Sequence, residues 1–178
     1  AYEEIDTSFP EPKGHPIQTT IWYDSNWAHD QVTRRSNTGL MAYVGGTLVK
    51  AYSKRQGAIA AATYGSELRA GREASIEAMD LRYLLRSLGV SLDGPTRLFG
   101  DNKAEIQAST NPKNAQKQRH DGISYHLARE CEAAGATIRY YVPSEVNLSD
   151  GLTKALNTSC HYGLYKIDGP VFCENWDT

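Results

Sequence analysis

Apolar positions along this chain switch between two periods, and the switches mark out its elements. Residues 20–24 begin as a short apolar run, Thr20-Ile21-Trp22-Tyr23, closed by Asp24, the pattern of a strand buried on both faces. Residues 25–37 are polar and read as a loop. Residues 39–44 and 47–53 are strand-like and meet at Gly45-Gly46, a hairpin signal. The first three strands are therefore expected to form an antiparallel meander. From Thr63 to Leu88 the period lengthens. Glu67, Gly71, Ala74, Ala78, Leu81, Leu85 and Leu88 recur at spacings of three and four, on one helical face. Gly89 stops this helix, and Asp93-Gly94-Pro95 turns the chain. Residues 96–100 predict a fourth strand, 102–109 a short helix, and 110–118 a polar loop. Residues 119–134 predict a second amphipathic helix ending at Gly135. Residues 137–142 predict a fifth strand, stopped by Pro143. Ser149 is placed to N-cap a last helix through about Leu156.

This order, β-β-β-α-β-α-α-β-α, implies an α/β fold with one five-stranded mixed sheet: three antiparallel strands, then two parallel ones, flanked by helices. The passage from third strand through long helix to fourth strand allows a parallel crossover. If the first and fourth strands are neighbours, Asp24 and Asp101 both lie at carboxyl ends, the edge where open α/β sheets bind ligands. The domain is expected over residues 19–156. Residues 1–18, with prolines at 10, 12 and 16, read as an extended lead-in, and 157–178 as a tail of unknown role without a clear period.

Composition narrows the class. A length of 178 residues and an apolar fraction of 40% suit one domain with one core. No apolar run approaches the roughly 20 residues of a membrane helix. The opening AYEEIDTSFPEP is acidic and Pro-bearing, unlike a signal or transit peptide. The first residue is Ala, not Met, so a fragment or processed product is expected. Cys131, Cys160 and Cys173 are too few and scattered for a disulfide framework, and Cys160, His161 and Cys173 match no zinc spacing. The net charge of −2 argues against a strong free-standing nucleic-acid binder. Two local basic clusters soften that: Lys50, Lys54 and Arg55, and Lys113, Lys117 and Arg119. Each is either a phosphate contact or solvated surface.

Four carboxylates carry the chemistry. Asp24 and Asp101 end strand patterns, Asp150 opens a helix, and Glu67 heads the apolar stripe of the long helix. A carboxylate on a buried face is costly unless it is paired or metal-bound. Acids gathered at such ends repel one another unless a cation sits between them. Hard divalent ions such as Mg²⁺ suit oxygen donors. Two ions about 4 Å apart are a standard device for cutting phosphodiesters. The plain alternatives are a first-turn acid at Asp150 and turn-forming aspartates at Asp24 and Asp101. Glu67 fits no such alternative well.

The segments YDSNWAHD (23–30), RRSNTG (34–39), YSKRQ (52–56), SELRA (66–70), DNKAEI (101–106), RHDGISYHLARE (119–130) and VPSEVNLSDGLTKAL (142–156) together resemble the ribonuclease H domain of copia-type retrotransposon Pol polyproteins. The resemblance implies a ribonuclease H-like fold and endonucleolytic cleavage of the RNA strand of an RNA–DNA hybrid, with two Mg²⁺ or Mn²⁺ ions. It matches Asp24, Glu67, Asp101 and Asp150 to the metal-binding catalytic acids. It implies a reverse transcriptase domain as partner, in cis or in trans, no membrane association, and a cytoplasmic virus-like particle or the nucleus as location. Expected contacts to the RNA 2′-hydroxyl are Ser25, Asn26, Ser66 and Asn102, each beside an acid, though each is also a common cap or turn former. His120 matches a motif position and contacts either nucleic acid or its own helix start. His126 is expected to be structural, and Trp27 to pack under the sheet rather than stack on a sugar.

This chain also departs from the pattern. Gly65 stands where copia-type relatives often carry an extra Glu. Segment 143–149 lacks the mobile His of many cellular ribonucleases H, Glu145 being its only titratable residue, so product release is expected to differ. Gly151 is expected to loosen the last helix. Two other functions fit the same acids less well: a domesticated, non-catalytic scaffold module, and a strand-transfer enzyme of the integrase kind.

Overall fold

The structure is a computed structural model that describes residues 6–28, 30, 32–60, 62–110 and 122–165. Its centre is a five-stranded sheet built from β2 (Thr19–Asn26), β3 (Asn37–Val44), β4 (Thr47–Arg55), β6 (Thr96–Gly100) and β7 (Thr137–Tyr141), in the order β4-β3-β2-β6-β7. The β2–β3 and β3–β4 pairs are antiparallel, while β2–β6 and β6–β7 are parallel. This is the expected mixed sheet. The crossover from β4 to β6 runs through α1 (Thr63–Ser87). The remaining helices are α2 (Lys103–Thr110), α3 (Gly122–Ala133), α4 (Asp150–Thr153) and α5 (Thr158–Leu164).

Strand alternation sorts the core into two layers. Ile21, Tyr23, Leu40, Ala42 and Leu98 face the small residues Ala70, Ala74 and Ala78 of α1. Small side chains there let the helix lie close to the sheet. On the other face Trp22, Met41, Tyr43 and Phe99 pack with Val142 and Leu148, and with the partly buried Leu152, Leu164 and Tyr165. Trp22 and Phe99 stack at 4.6 Å between centroids, and Phe99 continues onto Tyr140 at 5.5 Å. No described helix is long and apolar enough to cross a membrane.

Several expectations are corrected. The apolar stripe of α1 is fully buried only as far as Ala78: Leu81 packs against the core partly buried, Leu85 is half-buried and Leu88 is 68% exposed. Residues Lys13–Ile17 of the lead-in form a strand, β1, paired in parallel with β5 (Val90–Leu92) in a separate two-stranded sheet. Both pieces are short, and Pro16 breaks any alternation, so neither shows a period. The first part of the tail folds as α5, whose first turn is capped by Asn157, accepting from the Cys160 amide at 2.8 Å. Helix α4 ends at Thr153, short of the expected Leu156, and Gly151 has a packing role. An ideal Cβ there would collide with the Tyr165 ring and hydroxyl, so glycine lets α5 close onto α4. Tyr165 then donates to the Leu148 carbonyl. Ser149 does not cap α4 with its side chain; its hydroxyl donates to Asn147 Oδ1 at 2.7 Å.

A buried guanidinium ties β7 to the three helices α1, α2 and α3. Arg139 on β7 has a side chain with no solvent exposure. It donates to Glu132 Oε1 on α3 at 2.9 Å, and to the Gly71 carbonyl and Ser75 Oγ on α1 at 3.1 and 2.6 Å. Its Nε lies 3.6 Å from Glu105 Oε1 on α2. Glu105, also buried, accepts from Tyr23 Oη at 2.8 Å and Ser109 Oγ at 3.1 Å. Burial raises the Glu105 carboxyl above its usual range despite Arg139. Removing one member strands the others in a dry site. We expect Arg139→Met to cost about 3–5 kcal/mol in chemical denaturation, and Arg139→Met with Glu105→Gln to regain part of it. A double variant as damaged as the sum of both singles would show that the two side chains act independently.

Candidate active site

The edge beyond the carboxyl ends of β2 and β6 gathers the acids. Asp24 lies on β2 two residues past Trp22↔Phe99, the last β2–β6 pair, so the ladder has already opened beside it. Strand β2 itself runs on to Asn26 along β3. Asp101 follows β6 directly, and Glu67 sits in the second turn of α1. One carboxylate oxygen from each of Asp24, Glu67 and Asp101 lies within 4.8 Å of the others. Asp24 is 1% exposed and Glu67 5%. Asp24 Oδ1 is buried with no hydrogen-bond donor. Three converging carboxylates, one of them with a buried oxygen that has no donor, suit a hard cation, so these residues fit a divalent ion.

Asp150 stands apart from that triad. Lys154 Nζ lies 2.9 Å from Asp150 Oδ1 and 3.6 Å from Asp24 Oδ2. The fourth acid therefore reaches the cluster through an ammonium. Sequence reading missed Lys154, although a Lys four residues after an acid on a helix is a recognisable ion-pair spacing. It also missed Thr153, whose hydroxyl donates to Asp24 Oδ2, and Ser144, whose Oγ donates to Asp101 Oδ2 at 2.6 Å.

Asn147 and Gly39 set the position of α4. Asn147 is fully buried and donates from Nδ2 to the Tyr23 carbonyl at 3.1 Å, pinning the 143–149 segment beside Asp24. Gly39 pairs with Asp24 across the β2–β3 ladder. A Cβ at Gly39 would lie 2.8 Å from Leu152 Cβ and Thr153 Cγ2, and 2.9 Å from the Ser149 carbonyl. Only a residue without a side chain lets α4 lie this close to the strand.

Burial dominates the electrostatics. It pushes Asp24 up to about 6, with Asp101 and Asp150 adding to the rise and Thr153 and Lys154 opposing it. Burial, then Asp24 and Asp101, hold Glu67 well above the usual carboxylate range, against a hydrogen bond from Ser25.

An open groove of about 710 Å³ reaches the cluster at Glu67 and Asp101, and is lined besides by Ser25, Asn26, Trp27, Asn102, Lys103, Tyr141 and Lys154, while Asp24 and Asp150 lie behind its wall. Of the other expected contacts, Ser66 is fully buried, hydrogen-bonded to Ser25 Oγ at 3.0 Å, and does not line the groove. Asn26 donates to the Thr153 carbonyl at 3.0 Å. Asn102 Oδ1 caps α2, accepting from the Ala104 and Glu105 amides at 3.0 and 3.1 Å. Trp27 does not pack under the sheet: it is 41% exposed, held over the groove by Nε1 donating to the Ala60 carbonyl at 3.1 Å. The Lys103 ammonium lies 4.5 Å from the centre of the Tyr141 ring. His126 is exposed and meets Tyr125 edge-on. His120, Lys113, Lys117, Arg119 and Cys173 lie outside the described residues. In the other basic cluster Lys50 pairs with Glu77 at 2.7 Å and Arg55 with Asp30 at 3.3 Å.

Two substitutions probe this geometry. Gly39→Val should lift α4, lower stability by about 1–3 kcal/mol, and weaken divalent-ion binding; unchanged denaturation would show that α4 is not seated on β3. The pH dependence has a definite sign. An Asp24 pKa of about 6, above its unfolded value, favours the folded state at low pH; this contribution fades as pH rises from about 4 to about 6. It is on the order of 3 kcal/mol for a shift of about two units. With chelator, Tm should fall by several degrees over that window, less in Asp24→Asn, and Mg²⁺ should restore it above pH 6. Identical slopes with chelator, with Mg²⁺ and in Asp24→Asn would contradict the assigned cause.

Comparison with known proteins agrees with the motif resemblance. No protein-family model matches the chain. Over 145 residues, 82% of the chain, it is 28% identical to a retrovirus-related Pol polyprotein from transposon RE1 of Arabidopsis thaliana. The chain spans about 10% of that relative's length. Among solved structures it matches the RNase H1 of Halobacterium salinarum with a TM-score of 0.56 and 16% identity, covering 76% of this chain and 93% of that one. It also matches a foamy viral protease-reverse transcriptase in complex with an RNA/DNA hybrid, with a TM-score of 0.52 and 15% identity, covering 90% of this chain and 22% of that one. The fold is that of ribonuclease H.

Proposed function

We propose that this chain, a ribonuclease H-fold domain similar to part of a retrotransposon Pol polyprotein, is an endonuclease that hydrolyses the RNA strand of RNA–DNA hybrids. The observation that carries this reading is the convergence of Asp24, Glu67 and Asp101, one carboxylate oxygen of each within 4.8 Å of the others, at the carboxyl edge of that sheet. Asp24, Glu67 and Asp101 would hold one Mg²⁺, and Asp24 with Asp150 a second; bound there, the ions would lower the pKa of a water and stabilise charge on the leaving 3′ oxygen. Products would end in 5′-phosphate and 3′-hydroxyl.

The protein's own groups orient the hybrid. Thr153 and Ser144 each fix one oxygen of an acid, leaving the other free to face a cation. Lys103 and Lys154 line the groove and offer charge to phosphates. Trp27 and Tyr141 present partly exposed rings on which a sugar or base can stack. Ser25, Asn26 and Asn102 are the groove-lining polar groups within reach of a 2′-hydroxyl, which alone distinguishes RNA from DNA at the cut strand. A net charge of −2 leaves little general attraction for polyanions. The domain therefore fits a role beside a reverse transcriptase domain, in the same or another chain, that supplies most of the affinity.

The test is cleavage of a labelled hybrid by this chain with Mg²⁺ or Mn²⁺, against duplex RNA and duplex DNA. Cutting confined to the RNA of the hybrid is expected. Asp101→Asn should abolish it while leaving the metal-free Tm equal or slightly higher, because repulsion among the acids falls. No cutting of hybrid at any protein concentration would leave the scaffold function in its place, and cutting or joining of duplex DNA would point to strand transfer.

A further inference from the structure

The proposed function calls for two cation positions, and beside one of them, between Asp24 and Asp150, stands the protein's own Lys154 ammonium. Asp24 faces both. Its Oδ1 is buried without a donor, and one of its oxygens lies within 4.8 Å of oxygens of Glu67 and Asp101. Its Oδ2 takes the Thr153 hydroxyl and lies 3.6 Å from Lys154 Nζ. The same ammonium is hydrogen-bonded to Asp150 Oδ1 at 2.9 Å. The Lys154 side chain is 38% exposed, against 1% for Asp24 and 10% for Asp150, so the ammonium has a path to water that the acids lack. A four-carbon stem with rotatable bonds can take it there.

We propose that Lys154 is a resident counter-ion of the position between Asp24 and Asp150, so that the free protein binds one divalent ion, at Asp24, Glu67 and Asp101, and admits a second only when Lys154 is displaced. The ammonium offsets repulsion between two acids in the metal-free protein, much as an ion would. A divalent cation entering beside Asp150 must first overcome a like charge a few ångströms away and break a charge-assisted hydrogen bond. An arriving phosphate supplies a new partner for the displaced ammonium, which couples entry of the second ion to entry of substrate. This assignment rests on the two-ion reading for its purpose, but the binding it describes needs no hybrid.

Titration calorimetry of the metal-free protein with Mn²⁺ tests it. The native chain should bind one ion, and Asp101→Asn should lose it. Asp150→Asn should leave the stoichiometry at one, because Asp150 is committed to Lys154. Lys154→Met should bind a second ion at least about tenfold more tightly than the native chain, the scale of removing one charge roughly 4 Å from a partly screened carboxylate. Lys154→Arg, which keeps the charge, should bind as the native chain does. Two ions of similar affinity in the native chain, or a Lys154→Met isotherm that superimposes on the native one, would overturn the proposal. The native measurement decides even if Lys154→Met fails to fold. A protein that binds ions in this way yet cuts no hybrid would sink the nuclease reading and spare this one. A protein that cuts hybrid while binding two ions freely would do the reverse.

Discussion

Asp24 is a carboxylate taken out of water with one oxygen left unpaired, and much of the rim exists to make that tolerable. Isolated, a charge so placed would cost several kcal/mol. Thr153 and Lys154 serve one oxygen, while the other is buried without a donor. Holding those partners requires α4 to lie hard against the sheet. Gly39 clears the space, Asn147 pins the preceding segment to β2, and Gly151 admits Tyr165 of α5 as a brace from behind. A site built on repulsion is therefore supported by close packing at positions that never touch a substrate.

A second polar cluster, around Arg139, lies in the interior and is of a different kind. Its carboxylates are paired within the protein: one guanidinium faces both of them and several carbonyl and hydroxyl oxygens. The acid rim gathers three carboxylates with the Lys154 ammonium on one flank, 3.6 Å from Asp24 Oδ2. That contrast separates a structural ion network from a site prepared for a ligand, although burial raises carboxyl pKa values in both.

Most of the architecture was legible in the sequence because long periodic segments announce themselves. The glycine pair at 45–46, the small-residue stripe through Ala78 and the run at 96–100 all became the elements their patterns implied. What escaped was structure held by tertiary contact. β1 and β5 are too short to show a period, and α5 is held by Leu164 and Tyr165 rather than by an amphipathic stripe. On β7 the alternation is inverted: Arg139 points inward while Ile138 is 37% exposed, because the interior there is polar.

Three of the four acids were brought together as their places at element ends implied, since a parallel β2–β6 pair carries both aspartates to one edge. The supporting cast was not legible. Thr153, Lys154, Ser144 and Asn147 are ordinary loop and helix residues until the fold shows what they face. Trp27 was misjudged because an aromatic residue after a strand is usually core, whereas here its indole N–H is tied to the Ala60 carbonyl and its ring is left in the groove.

The central claim is that Asp24, Glu67 and Asp101 are arranged to share a divalent cation. A crystal of the protein grown with Mn²⁺, measured for anomalous scattering, tests it most directly. The account requires a single strong peak at coordination distance, about 2.0–2.3 Å, from an oxygen of each of these three residues. Density for water alone at that point, with manganese bound elsewhere or nowhere, would contradict it.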